Sequence, residues 1–167
     1  LPVGANGTEI RPGNSVMVDM NGNFNGYMTD MTRVFSLGDI APLARKAHEC
    51  SIRITREIAA AAVPGTPARD MYEMAVSIAK ADGLEEYFMG HRQHAGFIGH
   101  GVGIEINEGP VIAPRSRDIL HLDNVIALEP KFVIPKTGAV GIENTYVVTD
   151  SGLRCLTSSP EEIISLE

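Results

Sequence analysis

The segment from Ile126 to Val148, IALEPKFVIPKTGAVGIENTYVV, most constrains how this chain can fold. It contains two runs of β-branched and apolar residues on either side of a short polar turn, which predicts an antiparallel pair of strands. A turn centred on Lys136 places Glu129 opposite Glu143, because the two glutamates are equally far from it in sequence. Two like charges that face each other on apolar strands destabilise the pair unless a positive charge lies between them.

A similar arrangement precedes it near the N-terminus. Residues 15–37 alternate apolar and polar side chains around NGNFNG, a cluster of turn-forming residues, and therefore predict a β-hairpin. If the hairpin turns at Phe24 and Asn25, Asp19 lies directly opposite Asp30. The sequence thus predicts a second pair of opposed carboxylates.

Together these carboxylates point to a metal site. Four carboxylates on apolar strands are costly to bury without a cation, and they suit one or two divalent ions. His100 in FIGHGVGIEI can add an imidazole ligand, and glycines at 99, 101 and 103 would let a ligand or a neighbouring backbone approach closely. Taken singly, an aspartate beside a turn is usually a turn residue, and a lone histidine usually a hydrogen-bonded core residue. Their combination favours the metal site.

Helical patterns separate the two strand-rich segments. Apolar residues recur at helical spacing over residues 42–62, where VPGTP ends the pattern. A second helix is predicted over residues 67–82, with Thr66 as its N-cap and Gly83 as its C-terminal stop. A strand-rich segment, residues 97–157, follows. Strands, two helices and then strands again predict one α+β domain.

Composition excludes several classes of partner. The 167 residues carry a net charge of −7, so no basic field is available for nucleic acid or anionic lipid. No apolar run is long enough to cross a membrane. Cys50 and Cys155 lack the spacing of a metal site or of a disulfide framework, which predicts reduced thiols and a cytoplasmic location.

Four motifs carry a resemblance to a known family. VDMNGNFNGYMTDMTR, GHGVGIEINEGP, IALEP and GIENTYVVTDSG resemble, in order and spacing, the catalytic half of the pita-bread metallopeptidases of family M24. Xaa-Pro aminopeptidases and prolidases are most similar, and methionine aminopeptidases more distantly so. The resemblance implies a curved antiparallel sheet backed by helices. It also implies that residues 1–167 are the C-terminal part of a catalytic domain, preceded by further chain, and that the full-length protein is a homodimer.

The resemblance assigns a role to each predicted metal ligand. It implies two divalent ions bridged by Asp30 and Glu143, with Asp19 completing one site and His100 and Glu129 the other. Among manganese, cobalt, iron and zinc, the oxygen-rich ligand set with one imidazole favours manganese or cobalt. His100 and Glu129 would be the catalytic residues, with Glu129 accepting and donating a proton. The ions would activate water and polarise a scissile peptide carbonyl, so the implied reaction is hydrolysis of the Xaa-Pro bond.

Departures from the family pattern lie around these ligands. Family members commonly have two histidines and an arginine where this chain has Asn107, Gly96 and Gly141. Asn107 can still donate a hydrogen bond through its amide, and with Tyr27 and His94 it is predicted to bind substrate. For His94 an ordinary surface histidine of the loop is the simpler interpretation.

The departures leave two alternatives open. One is a pita-bread metalloenzyme, either a C–N hydrolase or a lyase, that acts on a small non-peptide substrate. The other is a non-catalytic module that binds peptide segments, for which loss of metal ligands would be expected.

Overall fold

The computed structural model describes residues 7–91 and 93–166 of the chain. In that part, ten strands and two α-helices follow one another with a short 3-10 turn at Glu85–Tyr87. Their order and bounds are β1 (Ser15–Phe24), β2 (Tyr27–Leu37), α1 (Pro42–Ala61), α2 (Ala68–Ala81), β3 (Gly99–Gly101), β4 (Glu108–Ile112), β5 (Val125–Leu128), β6 (Lys131–Ile134), β7 (Gly138–Gly141), β8 (Asn144–Thr149), β9 (Gly152–Cys155) and β10 (Ile164–Leu166).

The predicted N-terminal hairpin is present, but its register differs from the prediction. The turn is at Asn25 and Gly26, whose φ angles of 51° and 88° are the positive values that an Asn-Gly hairpin turn requires. Asp19 therefore pairs with Thr32 rather than with Asp30, so the predicted direct opposition of the two aspartates is wrong. The offset is two residues, and side chains alternate between faces with a period of two. The aspartates consequently remain on one face as diagonal neighbours.

The register predicted for the second strand pair is confirmed. Strands β5 and β8 form an antiparallel ladder that ends where Leu128 pairs with Asn144. Beyond the two glutamates, β6 and β7 continue as a second ladder in the register of a turn centred on Lys136. Glu129 and Glu143 thus lie opposite each other between the two ladders.

The helices form where the apolar pattern predicts them, with one correction. Helix α1 packs against β6, β7 and β9, and α2 is followed by Gly83 with a φ of 70°, as expected of a C-terminal stop. Thr66, however, does not cap α2, because its hydroxyl accepts a hydrogen bond from the Val63 N–H (3.0 Å). Pro67 occupies the N-cap position in an extended conformation. The predicted Thr66 cap is therefore wrong.

The strands form sheets that pack with the two helices, which confirms the α+β class. Five strands form one sheet in the order β4-β3-β5-β8-β9. Strands β1, β2 and β10 form a separate sheet in that order. An isolated antiparallel bridge between Thr32 and Glu143 links β2 to the segment that precedes β8. This link brings the hairpin carboxylates to the two glutamates. In the described ranges, neither helix is long and apolar enough to cross a membrane.

Candidate metal centre

Four of the five predicted ligands meet in one buried cluster. The His100 Nε2 atom lies 3.4 Å from Glu129 Oε1, 3.7 Å from Asp30 Oδ2 and 4.0 Å from Glu143 Oε1. Asp30, His100 and Glu143 each offer a ligand atom within 4.8 Å of the others. The side chains come from β2, β3 and the two short links next to β5 and β8. Three separate parts of the sequence therefore converge on one site.

Hydrogen bonds from β2 and β8 fix the acidic ligands. The Thr32 hydroxyl donates to Glu143 Oε2 at 2.7 Å, and the backbones of these residues exchange two hydrogen bonds at 3.3 Å. The Thr145 hydroxyl donates to the Asp30 carbonyl at 2.8 Å. Glu143 and Asp30 are thereby held in a defined relation before any ligand binds.

Arg33 supports the same region from behind. Its guanidinium is buried and donates to the carbonyls of Thr32 (2.7 Å) and Glu143 (2.8 Å). It also donates to Asn144 Oδ1 (2.7 Å) and to the Ser159 carbonyl (3.0 Å). Sequence analysis gives this residue no ligand role, and here it joins three separate backbone segments behind the acidic cluster.

The glycines around His100 allow close contact between strands. A Cβ on Gly101 would lie 2.7 Å from the Gly109 carbonyl carbon, and one on Gly99 only 2.8 Å from Ile112 Cδ1. The expected close approach of neighbouring backbone is thus confirmed. The His100 Nδ1 atom lies 3.0 Å from the Gly101 carbonyl, a contact that is satisfied when Nδ1 carries the proton. In that tautomer the Nε2 lone pair is available to an ion. Without an ion, a protonated Nε2 donates toward Glu129 Oε1. Burial lowers the pKa of His100, but the contacts with Glu129 and the Gly101 carbonyl outweigh it and raise that pKa.

The cluster holds more carboxylate charge than the neighbouring cations compensate. Burial, followed by the charges of Glu129 and Asp30, raises the pKa of Glu143 to about 8. Burial, followed by the charge of Asp19, raises the pKa of Asp30 to about 6. Burial alone would also raise the pKa of Glu129, but His100 and Lys131 outweigh it and lower that pKa. Two of the three buried carboxyls therefore resist ionisation without a further cation.

The donor set fits a divalent ion. The Asp30 Oδ1 atom is buried and has no hydrogen-bond partner, an uncommon and costly state for a carboxylate oxygen. Carboxylate oxygens together with a single imidazole nitrogen form a ligand set that suits divalent metal ions. An ion bound to Asp30, His100 and Glu143 would offset the repulsion between the carboxylates.

Asp19 lies at the rim of the cluster. It is exposed, on the same face of the hairpin as Asp30, and its charge contributes to the raised pKa values of Asp30 and Glu143. Its predicted role as a ligand is compatible with this position and stays a prediction.

The residues predicted to bind substrate lie outside the buried cluster. Tyr27 begins β2 with 64% of its surface exposed, and Asn107 is exposed in the bend before β4. His94 is exposed, and its Nδ1 lies 2.8 Å from the Phe88 carbonyl, so the loop itself orients the ring. Their roles toward a substrate stay predictions.

Lys131 is a residue of the site that sequence reasoning missed. It is buried at the start of β6, and its ammonium contacts Glu129 Oε2. A lysine that follows Glu-Pro would ordinarily be interpreted as a surface residue. The signal that could have revealed it is its cross-strand partner, Gly141, which has no side chain to fill the same space.

The fold and the buried cluster of carboxylates with one histidine define the class of protein to which the chain belongs. The chain belongs to metallopeptidase family M24, whose profile matches residues 1–150. The predicted resemblance and the pita-bread fold are thereby confirmed.

Several proteins similar to this chain carry names that are more specific than the family description. The chain is 34% identical to the Xaa-Pro dipeptidase of Pyrococcus furiosus over 165 residues, which cover 98% of this chain and 46% of that protein. The crystal structure of the Pyrococcus horikoshii dipeptidase superposes with a TM-score of 0.86 at 30% identity, covering 95% of this chain and 43% of that one. The prolidase from Pyrococcus furiosus gives a TM-score of 0.84 at 33% identity, covering 93% and 44%. The chain thus spans about half the length of the relatives it matches.

Proposed function

We propose that this chain carries the metal centre of a dinuclear metallopeptidase that hydrolyses Xaa-Pro bonds, as an aminopeptidase or a dipeptidase. The observation that carries the proposal is the buried cluster of Asp30, His100, Glu129 and Glu143, in which one oxygen of Asp30 lacks a partner. Membership of family M24 and similarity to Xaa-Pro dipeptidases support it. The proposal includes that residues 1–167 form the C-terminal part of the catalytic domain of a longer protein.

Each residue of the cluster has a distinct proposed role. Asp30 and Glu143 would bridge two ions, Asp19 would complete one site, and His100 and Glu129 the other. Bound manganese or cobalt would polarise the scissile carbonyl and lower the pKa of water. Glu129 would accept a proton and return it to the leaving amine, since a carboxylate held beside the reacting atoms is suited to general acid–base catalysis.

Substrate recognition would fall to residues at the rim. The Asn107 amide would donate a hydrogen bond to the substrate, with Tyr27 and His94 as further contacts. Tyr27 and Asn107 are exposed to solvent. A peptide could therefore reach both side chains. A cytoplasmic homodimer is the proposed form of the whole protein.

One observation favours a second candidate function. Asn107, Gly96 and Gly141 stand where family members commonly have two histidines and an arginine. This departure around the metal ligands favours a small non-peptide substrate, turned over by a C–N hydrolase or a lyase with the same metal centre.

The two functions are separated by a substrate panel assayed with the whole protein. The protein is stripped with a chelator, reloaded with Mn²⁺ or Co²⁺, and incubated with matched Xaa-Pro and Xaa-Ala peptides. We expect release of the N-terminal residue from the proline peptides, loss of release on chelation and recovery on reloading. Asn107→His, which restores the residue common in the family, should retain this activity.

The other outcomes are equally informative. A protein that binds metal but cleaves no peptide in the panel would contradict the peptidase proposal and favour the small-substrate enzyme. A protein that binds neither manganese nor cobalt and cleaves nothing would favour a peptide-binding module.

A further inference from the structure

We propose that Lys131 is a positioning residue of this centre, whose ammonium holds Oε2 of Glu129 and leaves Oε1 directed at the ion site. The proposal rests on the proposed function, because it assumes that Glu129 is both a ligand and a proton carrier. It concerns a residue to which the sequence pattern gives no role.

The first argument is burial with a single dominant contact. The side chains of Lys131 and Glu129 are each only 11% exposed, and the ammonium contacts Glu129 Oε2 directly. Lysine is almost never this buried unless it is paired. A surface ion pair contributes little, but removing one partner of a buried pair leaves an uncompensated charge.

The second argument is that the two oxygens of the Glu129 carboxylate face different partners. Oε2 faces Lys131, whereas Oε1 lies 3.4 Å from His100 Nε2, the nitrogen that also lies near Asp30 and Glu143. Each carboxylate oxygen can serve a separate partner. A cation held on one oxygen therefore restrains rotation of the carboxylate and presents the other oxygen to the cluster.

The third argument is that the surrounding backbone fixes the point from which the Lys131 side chain extends. Its carbonyl accepts a hydrogen bond from the Met89 N–H at 2.8 Å, which fixes the start of β6. Its cross-strand partner is Gly141, where a Cβ would lie 2.7 Å from both Cα and Cβ of Lys131 and 2.7 Å from the Pro130 carbonyl oxygen. A side chain at 141 would therefore clash with the backbone and Cβ of residue 131, so glycine at 141 keeps the start of β6 in the position from which the Lys131 side chain reaches Glu129.

The positioning role has a chemical consequence. A carboxylate that transfers a proton must be held in a productive geometry, and a displacement of about 1 Å can cost on the order of 100-fold in rate. Lys131 supplies that restraint without touching the substrate, so the loss on its removal should fall on turnover rather than on substrate binding.

The first test uses stability and needs no activity. Thermal unfolding of the metal-free whole protein is compared for Lys131→Met, Glu129→Gln and the double variant, with Lys136→Met, at an exposed turn lysine, as the charge-matched control. We expect Lys131→Met to lower Tm by about 5–10 °C and to lose most of that effect in the Glu129→Gln background. An equal loss in both backgrounds would overturn the proposal. If Lys131→Met does not fold, Lys131→Gln replaces it in the cycle.

The second test uses the metal-loaded protein with the best substrate of the panel. Lys131→Met should lower kcat by roughly 10- to 100-fold with KM unchanged, and Lys131→Arg should recover most of the loss. A changed KM with unchanged kcat would contradict a positioning role. If the wild-type protein cleaves no peptide, the proposed function fails, whereas the stability cycle still decides whether Lys131 holds Glu129.

Discussion

Replacing Glu143 with glutamine is expected to stabilise the metal-free protein at pH 8 and, at the same time, to abolish its stabilisation by divalent ions. Glu143 is 2% exposed and lies among the other carboxylates of the cluster. A glutamine of similar shape would still accept the Thr32 hydrogen bond through its carbonyl. Its amide could donate to Asp30 or Glu129, so it removes repulsion without opening a cavity.

The sign of the pH dependence follows from the raised pKa. In the folded protein the pKa of Glu143 is about 8, because of burial and then the charges of Glu129 and Asp30, whereas its ordinary value is 4.5. Below about pH 4.5 the carboxyl is protonated in both states and costs nothing. Between that pH and about 8 the unfolded chain releases the proton and the folded protein retains it, so stability falls as the pH rises. The full cost is of the order of 5 kcal/mol.

The measurement is thermal unfolding of wild type and Glu143→Gln at pH 5 and pH 8, with chelator or with Mn²⁺. In chelator, the Tm of the variant should rise relative to the Tm of wild type between pH 5 and pH 8. Only wild type should gain stability from Mn²⁺. Glu162→Gln, at an exposed glutamate, is the matched control and should behave as wild type. A variant that is no more stable than wild type at pH 8, or that responds equally to Mn²⁺, would contradict the account.

Replacing Gly99 with alanine is expected to destabilise the protein by about 3 kcal/mol or more and to weaken metal binding. Gly99 is buried in β3, between β4 and β5. A Cβ there would overlap the Ala127 carbonyl oxygen and would lie 2.8 Å from Ile112 Cδ1. Backbone atoms cannot yield as a flexible side chain can, so the central strands must separate. His100, the next residue, would move with them.

Gly96→Ala provides the control for this substitution. Gly96 lies three residues earlier in the same segment, and a Cβ there would meet no atom within 4 Å. We expect its denaturant midpoint to equal that of wild type and the midpoint of Gly99→Ala to fall clearly below it. Equal midpoints for the two variants would show that the strands adjust to a methyl group at position 99.

Parts of the fold that depend on local pattern could be predicted from the sequence. The register around Lys136 was predictable because two long β-branched runs flank one short turn, which leaves few alternative pairings. The N-terminal register was harder, because NGNFNG contains two Asn-Gly pairs and several possible turn centres. The Asn25-Gly26 turn is favoured because both residues adopt positive φ, a backbone property that alternation of side chains does not encode. The error changed the partner of Asp19 but not its face.

The convergence of the cluster could be predicted only in part. The opposition of Glu129 and Glu143 follows from strand register, and the approach of His100 was expected from the glycines around it. The bridge that joins Thr32 to Glu143 connects residues far apart in sequence, and tertiary packing decides it. Lys131 was missed for a similar reason, since tertiary packing decides its burial and its contact with Glu129.

The most direct test of the central claim is the number of divalent ions that the whole protein binds. Equilibrium dialysis of the metal-free protein against Mn²⁺, followed by elemental analysis, should give two ions per chain in wild type. Asp30→Asn, which alters a proposed bridging ligand, should lose both ions, whereas Glu162→Gln should retain them. Two ions lost only in the ligand variant would establish the buried cluster as the metal centre. Absence of bound Mn²⁺ from wild type, or equal binding by Asp30→Asn, would contradict it.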